Sequence, residues 1–393
     1  MGKPMVWNSK LGLVGLGGLL IYILACTSFS PDDSKVLYLT VDAQSGLTAV
    51  AVYDRKLAKS ELLFEPFVQD VANLTTGKPA VMRPQWLEGG HNFLAAWLEG
   101  IDDSENSLNL AVLPFDRRGP ARTFLLSKLG KDEGSGFFLW PLPVVGSSLF
   151  LSGESNNIIR LNLETGEMHR QTNQPESILL FSPDNDHLYY LSGVNDAKGP
   201  NECGLLNPET FARTPLFSIK DEKASPLSLA LSRDAKRLAY QVENENPPVV
   251  HLLETSQSAR TLSLASLGEK IEVNLRHFSP KSDILYGSFR SSADATNVAY
   301  GFVEIPLDGS PIRKTTLISQ AGSGDKDMFA AFQIDISHDG KTLAVESLWL
   351  AYNEHPIRAE DCALFLVDLT DPQRKITKVL IPLPPKDRPS PFK

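Results

Sequence analysis

Residues 336–346 read ISHDGKTLAVE, a short polar cluster between apolar runs, and this pattern decides the fold because it recurs along the chain. Four other clear copies begin at Phe29, Phe181, Leu231 and Phe278, and two weaker ones begin near Trp86 and Pro143. Successive starts are separated by 57, 57, 38, 50, 47 and 58 residues. The average period of about 51 is suitable for one four-stranded sheet per repeat.

Each copy has the composition of a tight β-hairpin. The apolar residues surround a cluster of the type Ser-Pro-Asp-Gly-Lys, as in FSPD at 181–184 and SHDGK at 337–341. Proline presets φ for a turn, and Asp or Gly accommodates the turn backbone. The β-branched and aromatic residues that follow suit a pleated strand. Each copy therefore predicts a strand, a turn and a second strand.

A second hairpin pattern follows each first copy after about 21–35 residues. Its seven turns are centred near acidic residues: Asp54, Asp116, Glu164, Glu209, Glu254, Asp308 and Asp371. Two independent patterns with equal counts predict seven units, or six if the weak unit at Pro143 belongs to its neighbours.

Together the two patterns resemble the TolB-type β-propeller repeat, with its aromatic-Ser-Pro-Asp-Gly-Lys turn and its Asp-x-x-Thr-Gly turn before the outer strand. The resemblance extends from Phe29 to about Pro382. It implies an all-β fold, in which four-stranded antiparallel blades surround a central channel. We expect residues 26–393 to form this single propeller domain. If residues 1–25 are removed, few residues remain before Phe29 to form an innermost strand. Blade one should therefore have three strands or borrow an edge from Ile381–Lys393.

The N-terminus is typical of an exported protein. Lys3 and Lys10 precede LGLVGLGGLLIYILA, the uncharged run from Leu11 to Ala25. This run is shorter than the ~20 apolar residues of a membrane span and matches the apolar part of a signal peptide. We therefore predict that residues 1–25 are a signal peptide.

Ile23-Leu24-Ala25-Cys26 resembles the lipobox of bacterial lipoproteins, with Ile at a position where Leu is usual. The resemblance implies lipidation of Cys26 and attachment to the membrane through this N-terminal lipid. An uncleaved anchor and cleavage without lipid are the alternatives, and all three place the body outside the cytoplasm. Thr27 follows the cysteine where Asp would indicate inner-membrane retention. A periplasm-facing lipoprotein of the outer membrane is therefore expected.

Composition and motifs exclude several activities. The 393-residue chain has 38 Lys and Arg against 47 Asp and Glu, a net charge of −9, which disfavours nucleic acid as a partner. The sequence has no G-x-S-x-G motif, and its seven histidines lack the H-x-H and H-E-x-x-H spacings of metal sites. It thus indicates no cofactor, metal or catalytic residue. We interpret Asp32, Asp184 and Asp339 as turn residues and His338 as a solvated one.

Cys203 and Cys362 fall at the start of the third strand in the fourth and seventh units. These units lie nearly opposite in a seven-membered ring, whereas a disulfide needs Cα atoms within about 7 Å. Both thiols are predicted to be free and largely buried.

Along the chain, hairpin turns alternate with the other connections between strands. The hairpin turns should therefore lie on one face of the ring and the long connections on the other. The segments concerned are Glu65–Pro79, Glu99–Ser107, Ser127–Gly136, Gly193–Cys203, Ser291–Thr296 and Trp349–Asp361. Loops on a rigid scaffold concentrate binding groups, although drift in loop length would give the same distribution.

Three functions are compatible with the sequence. The first is a non-enzymatic binding or scaffold propeller for an envelope protein or a cell-wall saccharide on the long-loop face. The alternative is a propeller enzyme of the lactonase, lyase or glycosidase type, with its site at the central channel. The third is the sensor half of a larger complex.

Overall fold

The computed structural model contains seven four-stranded antiparallel sheets, each built from strands that are consecutive in the chain. It describes residues 27–41, 48–64, 80–100, 106–116, 122–125, 142–153, 157–171, 177–180, 187–192, 201–220, 224–242, 245, 248–255, 257–268, 271–294, 297–321, 328–351 and 363–381. The sheets are the blades of a seven-bladed β-propeller, numbered here in chain order. The prediction of seven units is confirmed, and the six-blade alternative is wrong.

Blades 1 to 4 comprise the following strands. Blade 1 contains β1 (Ser28–Phe29), β2 (Lys35–Val41), β3 (Thr48–Asp54) and β4 (Lys59–Phe64). Blade 2 contains β5 (Ala80–Trp86), β6 (Asn92–Gly100), β7 (Asn106–Pro114) and β8 (Arg122–Leu125). Blade 3 contains β9 (Val144–Val145), β10 (Ser148–Gly153), β11 (Asn157–Asn162) and β12 (Met168–Gln171). Blade 4 contains β13 (Ser177–Leu180), β14 (Leu188–Ser192), β15 (Glu202–Leu206) and β16 (Arg213–Ser218).

Blades 5 to 7 follow the same order. Blade 5 contains β17 (Ala224–Leu231), β18 (Arg237–Val242), β19 (Val249–Glu254) and β20 (Gln257–Ser263). Blade 6 contains β21 (Ile271–Phe278), β22 (Ile284–Asp294), β23 (Asn297–Pro306) and β24 (Arg313–Ala321). Blade 7 contains β25 (Met328–Ile336), β26 (Thr342–Ala351), β27 (Ala363–Asp368) and β28 (Ile376–Leu380). A short 3-10 turn, Ala265–Leu267, follows blade 5.

Both repeated sequence patterns mark hairpin turns, as predicted. The first pattern joins the first and second strands of every blade, and the second joins the third and fourth strands. The shortest first strands are β1 of blade 1 and β9 of blade 3, with two residues each. The weak copy near Pro143 contains β9. These turns share one face of the ring, which we call the turn face. The connections between the second and third strands and between blades lie on the other, the connection face.

Blade 1 is complete without help from the C-terminal segment. Ser28–Phe29 pairs with β2 as a short first strand, so the expectation of three strands or a borrowed edge is wrong. Two residues suffice because Phe29 is buried at 3% exposure and its backbone is bonded to blade 7. The ring therefore closes by side-chain contacts, with no strand exchanged between the ends of the chain that the structure describes.

Apolar clusters join adjacent blades all round the ring. One cluster extends through blades 6, 7, 1 and 2, and includes Phe302, Phe365 and Phe29. Four further clusters join blades 2 and 3, 5 and 6, 4 and 5, and 3 and 4. Because successive side chains in a strand point to opposite faces, each blade packs against both of its neighbours. We call the face toward the next blade in chain order its forward face.

Arginine side chains bind the next blade's outer turn at four of these interfaces. Arg122 donates to Leu163 O at 3.1 Å and to Glu164 O at 3.0 Å. The other three such contacts are Arg160 to Pro208 O at 3.3 Å, Arg260 to Leu307 O at 2.8 Å, and Arg313 to Pro372 O at 3.1 Å. They satisfy turn carbonyls and fix the angle between neighbouring blades.

A buried ion pair adds to the contact between blades 6 and 7. Arg374, in the outer turn of blade 7, donates from Nε to Glu304 Oε1 at 2.8 Å and from Nη2 to Oε2 at 2.7 Å. The side chain of Glu304 is 4% exposed and that of Arg374 is 16% exposed. Arg374 also donates to Leu369 O and Asp371 O, so it anchors its own turn as well.

Arg374→Met should lower the free energy of unfolding by about 3 kcal/mol, because it leaves the Glu304 carboxylate buried without its partner. Urea unfolding monitored by tryptophan fluorescence measures the change. The double variant Glu304→Met/Arg374→Met removes both charges and should regain most of the loss. A double variant as unstable as Arg374→Met would contradict this account.

Glycine in the first-pattern turn is required by the neighbouring blade. Gly340 has φ +70°, and a Cβ there would lie 3.1 Å from Pro280 Cδ of blade 6. Gly90 has φ +68°, and its Cβ would lie 3.2 Å from Pro31 Cδ of blade 1. Proline and glycine of the repeated turn thus meet across the blade interface.

Gly340→Ala should destabilise the fold by about 2 kcal/mol, since left-handed strain and a clash with Pro280 combine. Gly309→Ala is the matched control, because Gly309 has φ +86° and a Cβ added there would meet nothing within 4 Å. Left-handed strain alone should lower its free energy of unfolding by about 1 kcal/mol. Equal losses in the two variants would show that the contact with Pro280 is unimportant.

Candidate functional site

The acids of the first-pattern turns are hydrogen-bonded within those turns. In blade 1, Ser30 Oγ donates to Asp32 Oδ1 at 2.6 Å and accepts the N–H of Lys35 at 3.0 Å. Asp234 and Asp339 accept in the same way from Ser232 and Ser337, at 2.7 and 2.8 Å. Turn geometry therefore accounts for these acids, as interpreted for Asp32 and Asp339; Asp184 lies outside the described residues.

The hydroxyl groups of Ser30 and Ser34 lower the pKa of Asp32 to about 2. Its carboxylate therefore stays ionised and remains a hydrogen-bond acceptor at neutral pH. A group of this kind is suited to capping a turn and unsuited to carrying a proton in catalysis.

Asp33 joins the turns of blades 1 and 7 on the same face. Asp33 Oδ1 accepts the backbone N–H of His338 at 2.8 Å, and Oδ2 accepts that of Asp339 at 2.9 Å. The His338 ring also lies with Nδ1 2.8 Å from Asp33 Oδ1 and is 41% exposed. His338 is partly exposed, as its interpretation as a solvated residue implies. Its ring also contacts Asp33 across the junction between blades 7 and 1, which the sequence did not predict.

The innermost strands bring a second polar group together beside the channel. Asp335 of β25 accepts the N–H of Phe29 in blade 1 at 3.0 Å, on Oδ2. Ser28, at the equivalent position of blade 1, accepts the N–H of Trp86 in blade 2 at 3.3 Å. His277 occupies the equivalent position of blade 6 and interacts electrostatically with Asp335. Polar side chains therefore occupy one equivalent position in blades 6, 7 and 1, and those of Asp335 and Ser28 bind the backbone of the next blade.

Burial of its carboxyl group raises the pKa of Asp335, and the nearby His277 and the backbone N–H of Phe29 oppose this effect. A histidine beside a carboxylic acid of raised pKa is an arrangement that can exchange protons. Sequence reasoning missed both residues. The signal available to it was an ionisable residue at a strand position where blade 1 has Ser28 and blade 5 has Ala230.

Cys203 is a free, buried thiol at the start of the third strand of blade 4, as predicted. Burial raises its pKa to about 12, so it is an unreactive packing residue. Cys362 and the proposed lipidation site Cys26 lie outside the described residues.

Where the structure describes them, two of the predicted long connections are shorter than expected. Ser291–Thr296 is not a long loop, because β22 continues to Asp294 and β23 begins at Asn297. The strands β6 and β7 likewise extend to Gly100 and from Asn106. Residues 65–79, 127–136, 193–200 and 352–361 lie outside the described ranges.

Within the ranges given above, no group of three or more His, Cys, Asp or Glu is arranged to hold a metal ion. In the same ranges, no helix is long and apolar enough to cross a membrane.

No protein-family model and no curated protein matches this sequence. Solved structures do show similarity. A complex of KlAtg21 with the coiled coil of AgAtg16 has a TM-score of 0.50 at 11% identity, covering 91% of this chain and 98% of that chain. TolB from Acinetobacter baumannii has a TM-score of 0.39 at 10% identity, covering 77% of this chain and 69% of that chain.

A prolyl endopeptidase has a TM-score of 0.48 at 12% identity, covering 82% of this chain. This chain spans 46% of that enzyme's length. At these identities the comparisons show a shared β-propeller fold.

Asp335 and Asp32 should make opposite contributions to the pH dependence of stability. The pKa of Asp335 is raised in the fold, so its stabilising contribution is complete below its ordinary value of 3.8 and is lost as pH rises through the raised value. The pKa of Asp32 is lowered to about 2, so its contribution is present above 3.8 and is lost as pH falls toward 2.

Urea unfolding across a pH series checks both signs. Relative to Asp335→Asn, the wild type should become less stable as pH rises above about 4, through the raised pKa of Asp335. Relative to Asp32→Asn, the wild type should become more stable as pH rises from about 2 to about 4. The same sign for both variants would be incompatible with these two environments.

Proposed function

We propose that this protein is an envelope-anchored β-propeller that binds a partner and catalyses no reaction. The observation that carries the proposal is the contrast between the two faces. Segments between strands on the turn face are two to seven residues long, whereas those on the connection face range from the two residues 295–296 to the 18 residues 126–143. Variable segments on a rigid ring are the usual place for binding groups.

The turn face has a different role in this proposal. Its acids cap their own turns, and Asp33 closes the ring onto His338 and Asp339. Side chains engaged in this way hold the frame together. We therefore assign partner binding, to an envelope protein or a cell-wall saccharide, to the connection face.

The anchoring part of the proposal rests on the sequence of residues 1–26. The basic start, the 15-residue apolar run and Ile23-Leu24-Ala25-Cys26 favour lipidation of Cys26 after removal of residues 1–25. Two acyl chains on one residue give durable attachment, since each buried methylene contributes about 0.8 kcal/mol. Thr27 favours the outer membrane, with the propeller facing the periplasm.

A second candidate is an enzyme with its site at the central channel, of the lactonase, lyase or glycosidase type. The specific observation in its favour is His277 beside Asp335 on adjacent innermost strands. A polar group near the channel that can exchange protons is what hydrolysis or elimination would require.

The anchor and the partner are tested together. Full-length wild type and Cys26→Ala are expressed in a Gram-negative host, fractionated, extracted with detergent, crosslinked and affinity-purified. The wild type should fractionate with outer membranes, and the variant should become soluble or accumulate at the inner membrane. A variant that stays with the outer membrane would defeat the lipoprotein assignment.

Capture distinguishes the two functions. A binding propeller should recover the same crosslinked envelope component from wild type and His277→Ala. An enzyme should instead turn over lactone or glycoside substrates, and His277→Ala should lower that rate at least tenfold. Turnover without capture would replace the binding proposal with the enzyme.

A further inference from the structure

β28 presents an apolar outer edge on blade 7. Its sequence is ITKVL, with Ile376 40% exposed and Leu380 58% exposed. Among the described residues, these are two of four large hydrophobic side chains that are strongly exposed; the others are Leu57 and Met168. Ile376 and Leu380 lie two positions either side of Lys378, so all three share one face of the strand.

Within the described ranges, β28 is the edge strand of its sheet, and the outward backbone groups of these three residues have no strand beside them. Asp368 N–H donates to Lys375 O at 2.9 Å, which makes Asp368 and Lys375 a hydrogen-bonded pair of the antiparallel ladder. The register from Val367↔Ile376 to Ala363↔Leu380 has no bulge. Because bonded and non-bonded pairs alternate, the N–H and C=O groups of Ile376, Lys378 and Leu380 point away from β27.

The other outer strands have features that discourage pairing. β8 and β12 are four residues long, and β16 contains Pro215. β4 and β24 carry two charged residues each, and polar side chains occupy five of the seven positions of β20. Proteins protect sheet edges with shortness, proline and charge. β28 has Lys378 as its single charge and no proline or glycine.

Charge selects the occupant of this edge. Antiparallel pairing of two copies about the centre of β28 would place Lys378 opposite Lys378, which disfavours self-association. An acidic residue opposite Lys378 would instead form a cross-strand ion pair. Lys375 and Lys378 make the edge basic within a chain of net charge −9.

We propose that β28 binds an extended strand of a partner protein, with an acidic residue opposite Lys378 and apolar residues opposite Ile376 and Leu380. Backbone hydrogen bonds would supply affinity, and the Lys378 ion pair would supply register. This inference goes beyond the proposed function: it adds a second binding surface on the outer rim, separate from the connection face.

Two fluorescent heptapeptides, TVTETVT and TVTKTVT, test the proposal by anisotropy with the full-length protein. The wild type should bind the Glu peptide at least tenfold more tightly than the Lys peptide. Lys378→Ala keeps the backbone N–H, so it should still bind and lose the preference between the peptides. Lys378→Pro removes an outward N–H without breaking a ladder bond, so it should weaken binding at least tenfold.

Thermal melting shows whether Lys378→Pro is folded, and Ile376→Thr/Leu380→Thr provides an independent variant that should also weaken binding tenfold. No binding to the wild type at millimolar peptide, or unchanged binding by a folded Lys378→Pro, would overturn the proposal. Binding by a chain ending at Ile381 and not by the wild type would overturn it as well, assigning the edge to residues 382–393. If the peptides do not bind while Lys378→Pro and the wild type still capture the same envelope component, the edge-strand proposal fails and the connection-face binding function stands.

Discussion

The packing of each blade against both of its neighbours is the interaction on which this structure depends. A four-stranded blade has apolar side chains on both faces, as Phe29, Val36 and Leu37 show within blade 1. One blade alone would leave both faces in water, because a blade has no interior of its own. Only a closed ring covers all fourteen faces, so blades 7 and 1 must fit as closely as any pair within the chain.

That closure is made by polar contacts as well as by the shared apolar cluster. Asp335 binds the N–H of Phe29, and Asp33 binds those of His338 and Asp339. Each contact pairs a carboxylate with backbone donors that would otherwise lack an acceptor at the interface. Part of the acidity of this chain thus serves its architecture. Arginines perform the complementary task when they bind the carbonyl groups of the next blade's turn.

The sequence was sufficient to predict the blade count, the positions of both turns in every blade, and the burial of Cys203. These features repeat or follow from the order of strands, so several copies support each inference. The two-residue strand Ser28–Phe29 was not predictable, because it is held by Asp335 some 300 residues away in the chain. The short connection after Asp294 was missed for a related reason. Its polar residues resemble a loop, whereas pairing with β23 extends the strand through them.

The arginines that join neighbouring blades belong to a short sequence repeat that the two hairpin patterns do not include. Ala-Arg-Thr occurs at 121–123, 212–214 and 259–261, each at the start of or within an outer strand. Arg122 and Arg260 bind the next blade's turn, whereas Arg213 lies over the ring of Tyr190 at 4.6 Å. In blade 4 Thr214, not Arg213, faces Leu205 in the ladder, whereas in blade 5 Arg260 faces Leu252. The same triplet therefore has two roles, which differ with its register against the third strand.

This difference explains why repeats describe the frame of a propeller better than its function. A residue that recurs in every blade answers a need that every blade has, such as capping a turn or fitting the next blade. A partner contacts particular blades, so the residues that bind it need occur once. Asp335, His277 and the ITKVL edge of blade 7 each differ from their equivalents in other blades. Departures from the repeat, located by the structure, are therefore where the functional chemistry of this chain is to be sought.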